Sequence, residues 1–574
     1  MIVLGMKMSG HDTGAALIKD EGDKTKVFAI SEERLSREKH TAKFPILAMQ
    51  EALKTMNVQF EDIDLIVSNH RRGVYSISEY FNFMSLNEHR IYDSVVGKKI
   101  DWTRKKVIFA NHHDIHASSA YFASPFAEAA VMVIDEAGNS GETQSIYCGK
   151  GNNLILIERS FKPGIGRIYQ MVTENILGMK GIGTAGKTMG LSAYGKIENE
   201  KSVISPYISG KQDGINILYQ NMGDYKDNFK LTFPYKVFED GADMRDPYFI
   251  SVAYDVQKEV EKQIVYLANR AYEKFPSDNL CIAGGVGLNC VANELIAKNT
   301  PFKNVWIQPA SDDSGLPLGA ALWGYYSYYH SEKKFVMSTA FLGNDYENNE
   351  IEKLLNKLGV NYKSASYSEI ASKIADGKVI GWIDGKAEFG PRALGHRSIL
   401  ADPRNKGIKD YINSNIKHRE WFRPYAPIVM YDDVNQYFDI DHESKFMLFA
   451  AEVKQEMKDV IPGVTHVDGT ARVQTLKQED NEHLYQLILE FKKKTGVSVL
   501  LNTSFNNNAE PIVNSPLDAI ICASKIKLDG LYLQGYYISK DDLVTVDWTT
   551  EEENRKKEIL AKKEEAKHKY GKQC

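Results

Sequence analysis

Apolar and polar positions near the start of the chain alternate in strand-length runs. Residues 1–31 read as a strand, a turn at Gly10-His11-Asp12-Thr13-Gly14, a strand, a turn at Glu21-Gly22-Asp23, and a third strand. The pattern recurs over 129–160, where Ala-Val-Met-Val-Ile leads to Asp135-Glu136-Ala137-Gly138, followed by a strand, a turn at Gly149-Lys150-Gly151 and another strand. Two acidic, glycine-bearing turns that each feed a hairpin point to an internal duplication; the competing explanation is two unrelated hairpins. Downstream, the apolar strand Cys281-Ile282-Ala283 runs into Gly284-Gly285-Val286-Gly287 and a helix from about Val291. Val305-Trp306-Ile307 similarly leads through Ser311-Asp312-Asp313-Ser314-Gly315 to an alanine-rich helix. This series stops after Tyr329, at Ser331-Glu332-Lys333-Lys334, and a new α/β series begins by about residue 345. The pattern predicts an α/β protein with one domain over 1–340 and a second over 345–548. A Glu- and Lys-rich tail over 549–574 reads as a solvated helix or a partly disordered segment.

Length and composition agree with this division. The 574 residues exceed one core at roughly 150 residues per domain. The net charge of −5 gives no electrostatic reason to expect nucleic acid, while small polar or anionic substrates stay open. Met1-Ile2-Val3-Leu4-Gly5-Met6-Lys7 is too short and too soon charged for a secretory segment, and no uncharged apolar run reaches membrane-spanning length. A cytoplasmic protein without membrane contact is therefore expected. Cys148, Cys281, Cys290, Cys522 and Cys574 are scattered and form no CxxC pair, so they read as free thiols, several of them buried.

Candidate chemistry begins at Asn111-His112-His113-Asp114-Ile115-His116. His112 and His116 at i and i+4 share one helix face, and Asp135 adds a hard oxygen donor. Asp313, at a strand-to-helix turn, would complete a set of two histidines and two aspartates; the plainer alternative is a polar helix start. Gly181-Ile-Gly-Thr-Ala-Gly186-Lys187-Thr188 fits the Walker A expression. A P-loop, however, needs a buried strand before it and a long helix after it. Glu174–Lys180 reads as helical, and Gly190 and Gly195 interrupt any following helix, so the expression is set aside, though Lys187 could still serve a phosphate. In the second half, Arg392, Lys417, Arg423 and Arg472 accompany Gly-Pro turns and strand ends, with the strand Val497–Leu501 running into Asn502-Thr503-Ser504. Guanidinium forks hold phosphate oxygens bidentately, so a clustered anion site is favoured over scattered surface charge.

The repeated hairpin resembles the duplicated cores of the actin, hexokinase and Hsp70 superfamily. Over nearly the whole chain, the ordered motifs HHxxHAxSA, AGKTMGLSAYG, GGVGLN, DxGLPLGAA, FGPRALGHRSIL, REWFRPYAP and LNTSFN resemble the O-carbamoyltransferase family of the nodulation protein NodU, the cephamycin enzyme and tobramycin carbamoyltransferase. The resemblance implies a first domain similar to threonylcarbamoyl-transfer enzymes and a second, YrdC-like domain. There carbamoyl phosphate and ATP, with Mg²⁺, would become carbamoyl adenylate. The first domain would pass the carbamoyl group to an alcohol and release AMP.

By motif, His112, His116, Asp135 and Asp313 are the implied iron(II) ligands, a donor set that manganese or zinc would also accept. Gly284, Gly285 and Asn289 are implied at the adenylate. Arg392, Lys417, Arg423, Arg472, Asn502 and Ser504 are implied at carbamoyl phosphate and ATP. His11, beside Asp12 on the first glycine turn, is the candidate general base toward the acceptor hydroxyl, or a histidine that merely caps the turn. Because carbamoyl adenylate is hydrolysed by water, a closed path between the domains is expected. A sugar-kinase-like enzyme and a hydrogenase-maturation-type carbamoyltransferase are the rival readings; the latter places its YrdC-like domain first and carries cysteine-rich zinc fingers, neither of which is seen here. The acceptor is not named by the residues. Tyr207, Tyr219, Tyr225, Phe229, Phe233 and Tyr235, between Tyr194 and Tyr248, could stack on a sugar or simply pack.

Overall fold

The computed structural model describes residues 1–8, 10–22, 24–70, 107–198, 202–223, 230–239, 242–331 and 335–571. Strands β1 (Ile2–Lys7), β2 (Gly14–Asp20) and β3 (Thr25–Ser31) form an antiparallel meander. β1 also pairs in parallel with β4 (Leu65–His70), and β4 with β5 (Val107–Asn111), giving the order β3-β2-β1-β4-β5. The same arrangement recurs. β6 (Glu128–Ile134), β7 (Gln144–Lys150) and β8 (Asn153–Ser160) form the second meander. After a small ribbon of β9 (Lys211–Asp213) and β10 (Asn216–Leu218), β11 (Asn279–Ala283) pairs in parallel with β6, and β12 (Asn304–Ile307) with β11. The order β8-β7-β6-β11-β12 matches the first sheet in sense and connection, so the two meanders belong to two copies of one arrangement. The central strands are mostly buried on both faces: β1 is buried from Val3 to Lys7 and β6 from Ala129 to Ile134.

Close backbone approach locks the two sheets together. The helix Leu316–Leu322 lies against β1 and the helix His112–Tyr121. A Cβ on Gly5 would stand 2.1 Å from Pro317 O, and one on Gly319 would stand 2.3 Å from Ile115 O. Only glycine permits these contacts, and they bring the turn at Asp313 beside the start of the histidine helix.

The second half is built on one mixed sheet. Its strands are β13 (Lys363–Ser364), β14 (Ile380–Ile383), β15 (Arg397–Ala401), β16 (Ala426–Met430), β17 (Phe438–Asp439), β18 (Phe449–Val453), β19 (Thr470–Leu476), β20 (Val499–Ser504), β21 (Gly530–Leu533) and β22 (Tyr536–Ser539). They run in the order β13-β22-β21-β14-β15-β20-β16-β19-β18-β17. Arg397 is fully buried on β15, and its guanidinium donates to the carbonyls of Asn514, Asp384, Gly385 and His396 at 2.9–3.0 Å. Within the FGPRALGHRSIL motif, this arginine therefore ties loops together.

The halves touch through several polar contacts. Arg34 donates to Gly390 O at 3.0 Å, Arg37 to Ile512 O at 2.7 Å, and Asn293 to Leu448 O at 2.9 Å. The charged tail is a helix, Trp548–Gly571, and it is not solvated all round. Ile559 and Ala566 are buried in the cluster that includes Leu47 and Leu53 of the helix Ile46–Thr55. Arg555 Nε donates to Asp518 Oδ1 at 2.9 Å. Two apolar positions among many charges suffice to dock one helix face, a signal too sparse to read from composition. Cys574 lies outside the described residues. Cys281, Cys290 and Cys522 are buried, and Cys148 is partly buried. No helix among the described residues is long and apolar enough to cross a membrane.

Candidate active site

His112 opens a helix directly after β5, where the Asn111 side chain accepts from the His113 and Asp114 amides and fixes the first turn. Asp135 follows β6, and Asp313 opens the turn before the helix Leu316–Leu322. One donor atom from each of His112, His116, Asp135 and Asp313 lies within 4.8 Å of the others. The Nε2 atoms of the two histidines are 3.1 Å apart. His112 Nε2 stands 3.2 Å from Asp135 Oδ2 and 3.3 Å from Asp313 Oδ1; for His116 the distances are 3.6 and 3.4 Å. The second oxygen of Asp135 is occupied by the Glu136 and Gly285 amides at 2.8 and 3.3 Å. Burial disfavours imidazolium here, yet the two carboxylates outweigh it, pushing His112 up to about 10 and His116 above its ordinary value. Two nitrogen and two oxygen donors placed in this way could hold a divalent transition ion.

A lysine and a second histidine complete the surroundings. Lys7, at the end of β1 and almost wholly buried, places Nζ 2.7 Å from Asp313 Oδ2 and donates to His11 O. His11 Nε2 is 3.7 Å from Asp313 Oδ2, while its Nδ1 is 2.9 Å from Asp12 Oδ2. The other oxygen of Asp12 lies 2.7 Å from His40 Nδ1. Burial would raise the Asp12 carboxyl, but hydrogen bonds from His11 and His40 hold it far below the usual carboxylate range. The pair His11 and Asp12 thus adjoins the cluster of His112, His116, Asp135 and Asp313. Lys7 and His40 were not singled out from sequence. A lysine at the end of an otherwise apolar strand was a legible signal for the first, whereas nothing local marks His40.

The glycine turn after β11 meets the same cluster. Gly284 has φ +91°, and a Cβ there would stand 2.2 Å from Ile134 O, so only glycine lets this turn lie against the end of β6 beside Asp135. Asn289 caps the helix Cys290–Asn299 by accepting from the Ala292 amide and exchanges hydrogen bonds with Gln257 at 3.1 Å.

The basic residues of the second half cluster across from this turn. Arg392, Arg423 and Arg472 lower one another electrostatically, with burial the larger cause; Arg423 is pushed down to about 10 and Arg472 to about 9. Arginines stay protonated at such values, so the cluster is a buried concentration of positive charge. The buried Nε atoms of Arg392 and Arg472 have no hydrogen-bond partner among the described residues, nor does Asn502 Oδ1. Asn502 Nδ2 donates to Ala393 O at 3.0 Å. Lys417 is deeply buried, which drives its amine well below the usual lysine value, and is anchored on the Ser504–Asn506 turn. Its Nζ donates to Ser504 O, to Asn506 O at 2.8 Å and to Asn506 Oδ1 at 2.7 Å, while Ser504 Oγ donates to Asn506 Oδ1 at 2.7 Å.

Lys187 reaches toward this cluster from the first half and pairs with Glu420 at 2.6 Å. The segment around it is no P-loop, since the helix Ile165–Asn175, and not a strand, precedes Gly181. The expectation that Gly190 and Gly195 break the following helix is corrected: one helix runs Ala185–Glu198 through both. Each glycine faces a neighbour, Gly190 the Phe422-Pro424 turn and Gly195 the Tyr254 ring, and this packing outweighs their poor helix propensity. In the segment read as a possible acceptor pocket, Phe233 stacks on Tyr207 with centroids 4.9 Å apart, and Tyr219 is buried against Glu259. Tyr225 and Phe229 lie outside the described residues.

Comparison with known proteins agrees with these motifs. The "Carbamoyltransferase N-terminus" family matches residues 2–99 and 79–322, and the "Carbamoyltransferase C-terminus" family matches 371–540. An uncharacterized protein of Synechocystis is 35% identical, covering 94% of this chain and 96% of that protein. Nodulation protein NolNO of Sinorhizobium fredii is 32% identical over 94% of this chain and 80% of its own length. A 3'-hydroxymethylcephem-O-carbamoyltransferase of Amycolatopsis lactamdurans is 27% identical over 92% and 97%. With both halves matched in order, the chain belongs to the carbamoyltransferase family.

Proposed function

We propose that the chain is an O-carbamoyltransferase working through two linked sites. Residues 345–548 take carbamoyl phosphate, water and Mg²⁺-ATP to carbamoyl adenylate, phosphate and pyrophosphate. Residues 1–340 then carry the carbamoyl group to a hydroxyl of a small molecule, a sugar or other natural product. In that step the acceptor oxygen bonds to the carbamoyl carbon as its bond to AMP breaks. The reading assigns Arg392, Lys417, Arg423, Arg472, Asn502 and Ser504 to the first reaction and Gly284, Gly285 and Asn289 to the adenylate. The observation that carries it is the pair of buried guanidinium Nε atoms, on Arg392 and Arg472, that lack partners among the described residues. A buried donor left without a partner costs about 1–3 kcal/mol, and phosphate oxygens are its natural acceptors.

His112, His116, Asp135 and Asp313 would hold a divalent metal, iron(II) in the family reading, which polarises the carbamoyl carbonyl when bound. His11 Nε2 faces this cluster, and its position suits it to take the proton of the attacking hydroxyl. Lys7 neutralises Asp313 and holds the His11 carbonyl. The test is release of pyrophosphate and AMP from ATP by the purified protein with and without carbamoyl phosphate. Carbamoyl-phosphate-dependent pyrophosphate is expected; phosphorylation of a sugar by ATP alone, without it, would favour the kinase-like reading instead.

A further inference from the structure

His40 is not assigned a part in the reaction above, yet it meets the candidate base through one intervening carboxylate. The two oxygens of Asp12 are divided between two imidazoles, Oδ1 at 2.7 Å from His40 Nδ1 and Oδ2 at 2.9 Å from His11 Nδ1. An ionised carboxylate only accepts hydrogen bonds, so both Nδ1 atoms that face it carry the hydrogen. For His11 this turns Nε2 toward Asp313, 3.7 Å away, and toward the cluster of His112, His116, Asp135 and Asp313. We propose that His40 is a positioning residue for carbamoyl transfer: it pins Asp12 so that Asp12 holds His11 in one tautomer and one orientation. This rests on the reading of residues 1–340 as the transfer site.

The surroundings of His40 fit a fixed clamp. Its backbone is in the left-handed region at φ 52°, and its N–H donates to Glu33 Oε2 at 2.8 Å. The opposite side of the ring lies over Gly183, where a Cβ would come within 3.5 Å of Nε2 and φ is +73°. His40 is thus held between the first glycine turn and the glycine-rich segment before Lys187. Asp12 also has a left-handed backbone, at φ 53°, and its side chain is nearly buried, so the ring of His40 decides how the carboxylate turns. Without that donor, one oxygen of Asp12 is left without its imidazole and the plane of the carboxylate is free to rotate away from His11.

The test uses the full-length, metal-loaded protein. Crystal structures of wild type, His40→Gly and His40→Asn are compared at the His11 ring. Metal content and carbamoyl-phosphate-dependent pyrophosphate release are measured on the same preparations. Glycine and asparagine both tolerate the left-handed backbone, and the Asn Nδ2–H occupies the place of the histidine Nδ1–H. In His40→Gly the His11 Nδ1 to Asp12 contact should lengthen beyond about 3.5 Å or the ring should lose a single position, while His40→Asn restores it. Metal content and pyrophosphate release should stay within about twofold of wild type in both, since neither the ligands nor the anion cluster is touched. A His11 ring unmoved in His40→Gly, or equally displaced in both variants, overturns the proposal. Absence of carbamoyl-phosphate-dependent pyrophosphate from the wild type would instead overturn the functional reading, and the two failures are told apart by which protein shows them.

Discussion

The ammonium of Lys187 lies 2.6 Å from Glu420 Oε1, and the other carboxylate oxygen of Glu420 lies 3.5 Å from Arg423. An ion pair therefore joins the glycine-rich segment of the first half to the loop that carries a principal anion-binding candidate of the second. Lys187 has a carboxylate partner, which a lysine cradling phosphates in a P-loop would exchange for the nucleotide.

Replacing Lys187 with Ala should leave pyrophosphate formation from ATP and carbamoyl phosphate largely intact. Both partners are about one-third exposed, 30% and 33%, and such pairs contribute roughly 0–1 kcal/mol, so a change below about fivefold is expected. Use of supplied carbamoyl adenylate should weaken. Complete loss of pyrophosphate formation in the folded variant would restore the P-loop reading.

His116→Ala separates the two chemistries. Removing one of four converging donors should lower metal content by ~10-fold or more, because even changes outside the direct ligands cost that much in metal affinity. Transfer to the acceptor should disappear, while pyrophosphate release persists. Elemental analysis of the purified variant, together with the pyrophosphate assay, checks both; full metal content would refute the ligand assignment.

Arg423→Lys keeps the charge and removes the fork. Lysine cannot make the two parallel hydrogen bonds that a guanidinium offers to phosphate. One charge-assisted hydrogen bond is worth about 1.5–3 kcal/mol, so adenylate formation should slow by more than about tenfold. Initial rates of AMP production from ATP and carbamoyl phosphate are the measurement, and an unchanged rate would remove Arg423 from the site.

Glu32 supplies a stability signature that can be followed by pH. It is fully buried, with Oε2 accepting from the Ala48 amide at 2.8 Å, and burial pushes its carboxyl up to about 8 from an ordinary 4.5. The folded chain keeps a proton that the unfolded chain releases near 4.5, so stability from the neutral group is present below that value. It is lost progressively as pH rises to about 8. Thermal melts should show wild type losing stability across this window and Glu32→Gln losing less. Parallel pH dependence in the two proteins would show that Glu32 is not protonated in the fold.

How much of the site could be read from the chain depended on how local each signal was. The i, i+4 histidines, the acid after an apolar strand and the glycine turn before Cys290 are short-range patterns, because a helix turn and a strand end fix which way neighbouring side chains point. The repeated meander was legible for the same reason, and its two copies appear as sheets of identical order. The Gly190 and Gly195 reading failed because propensity speaks for an isolated helix, whereas here the helix packs against Pro424 at Gly190 and so closely against Tyr254 at Gly195 that a side chain there would collide. The tail at Ile559 and Ala566 differs in the same way, since its docking depends on a surface more than 500 residues earlier in the chain, around Leu47 and Leu53.

The sequence alone determined the α/β class, the duplication, the order of motifs and the residue types able to bind a metal and phosphates. Those properties are set by periodicity and by chemistry carried within a few residues. Tertiary structure decided which groups meet: Lys7 with Asp313, His40 with Asp12, Lys187 with Glu420, and Arg472 with Arg392. These partners are separated by 28 to more than 300 residues, so no local pattern in the chain announces them, and burial strengthens the most enclosed of them, Lys7 with Asp313.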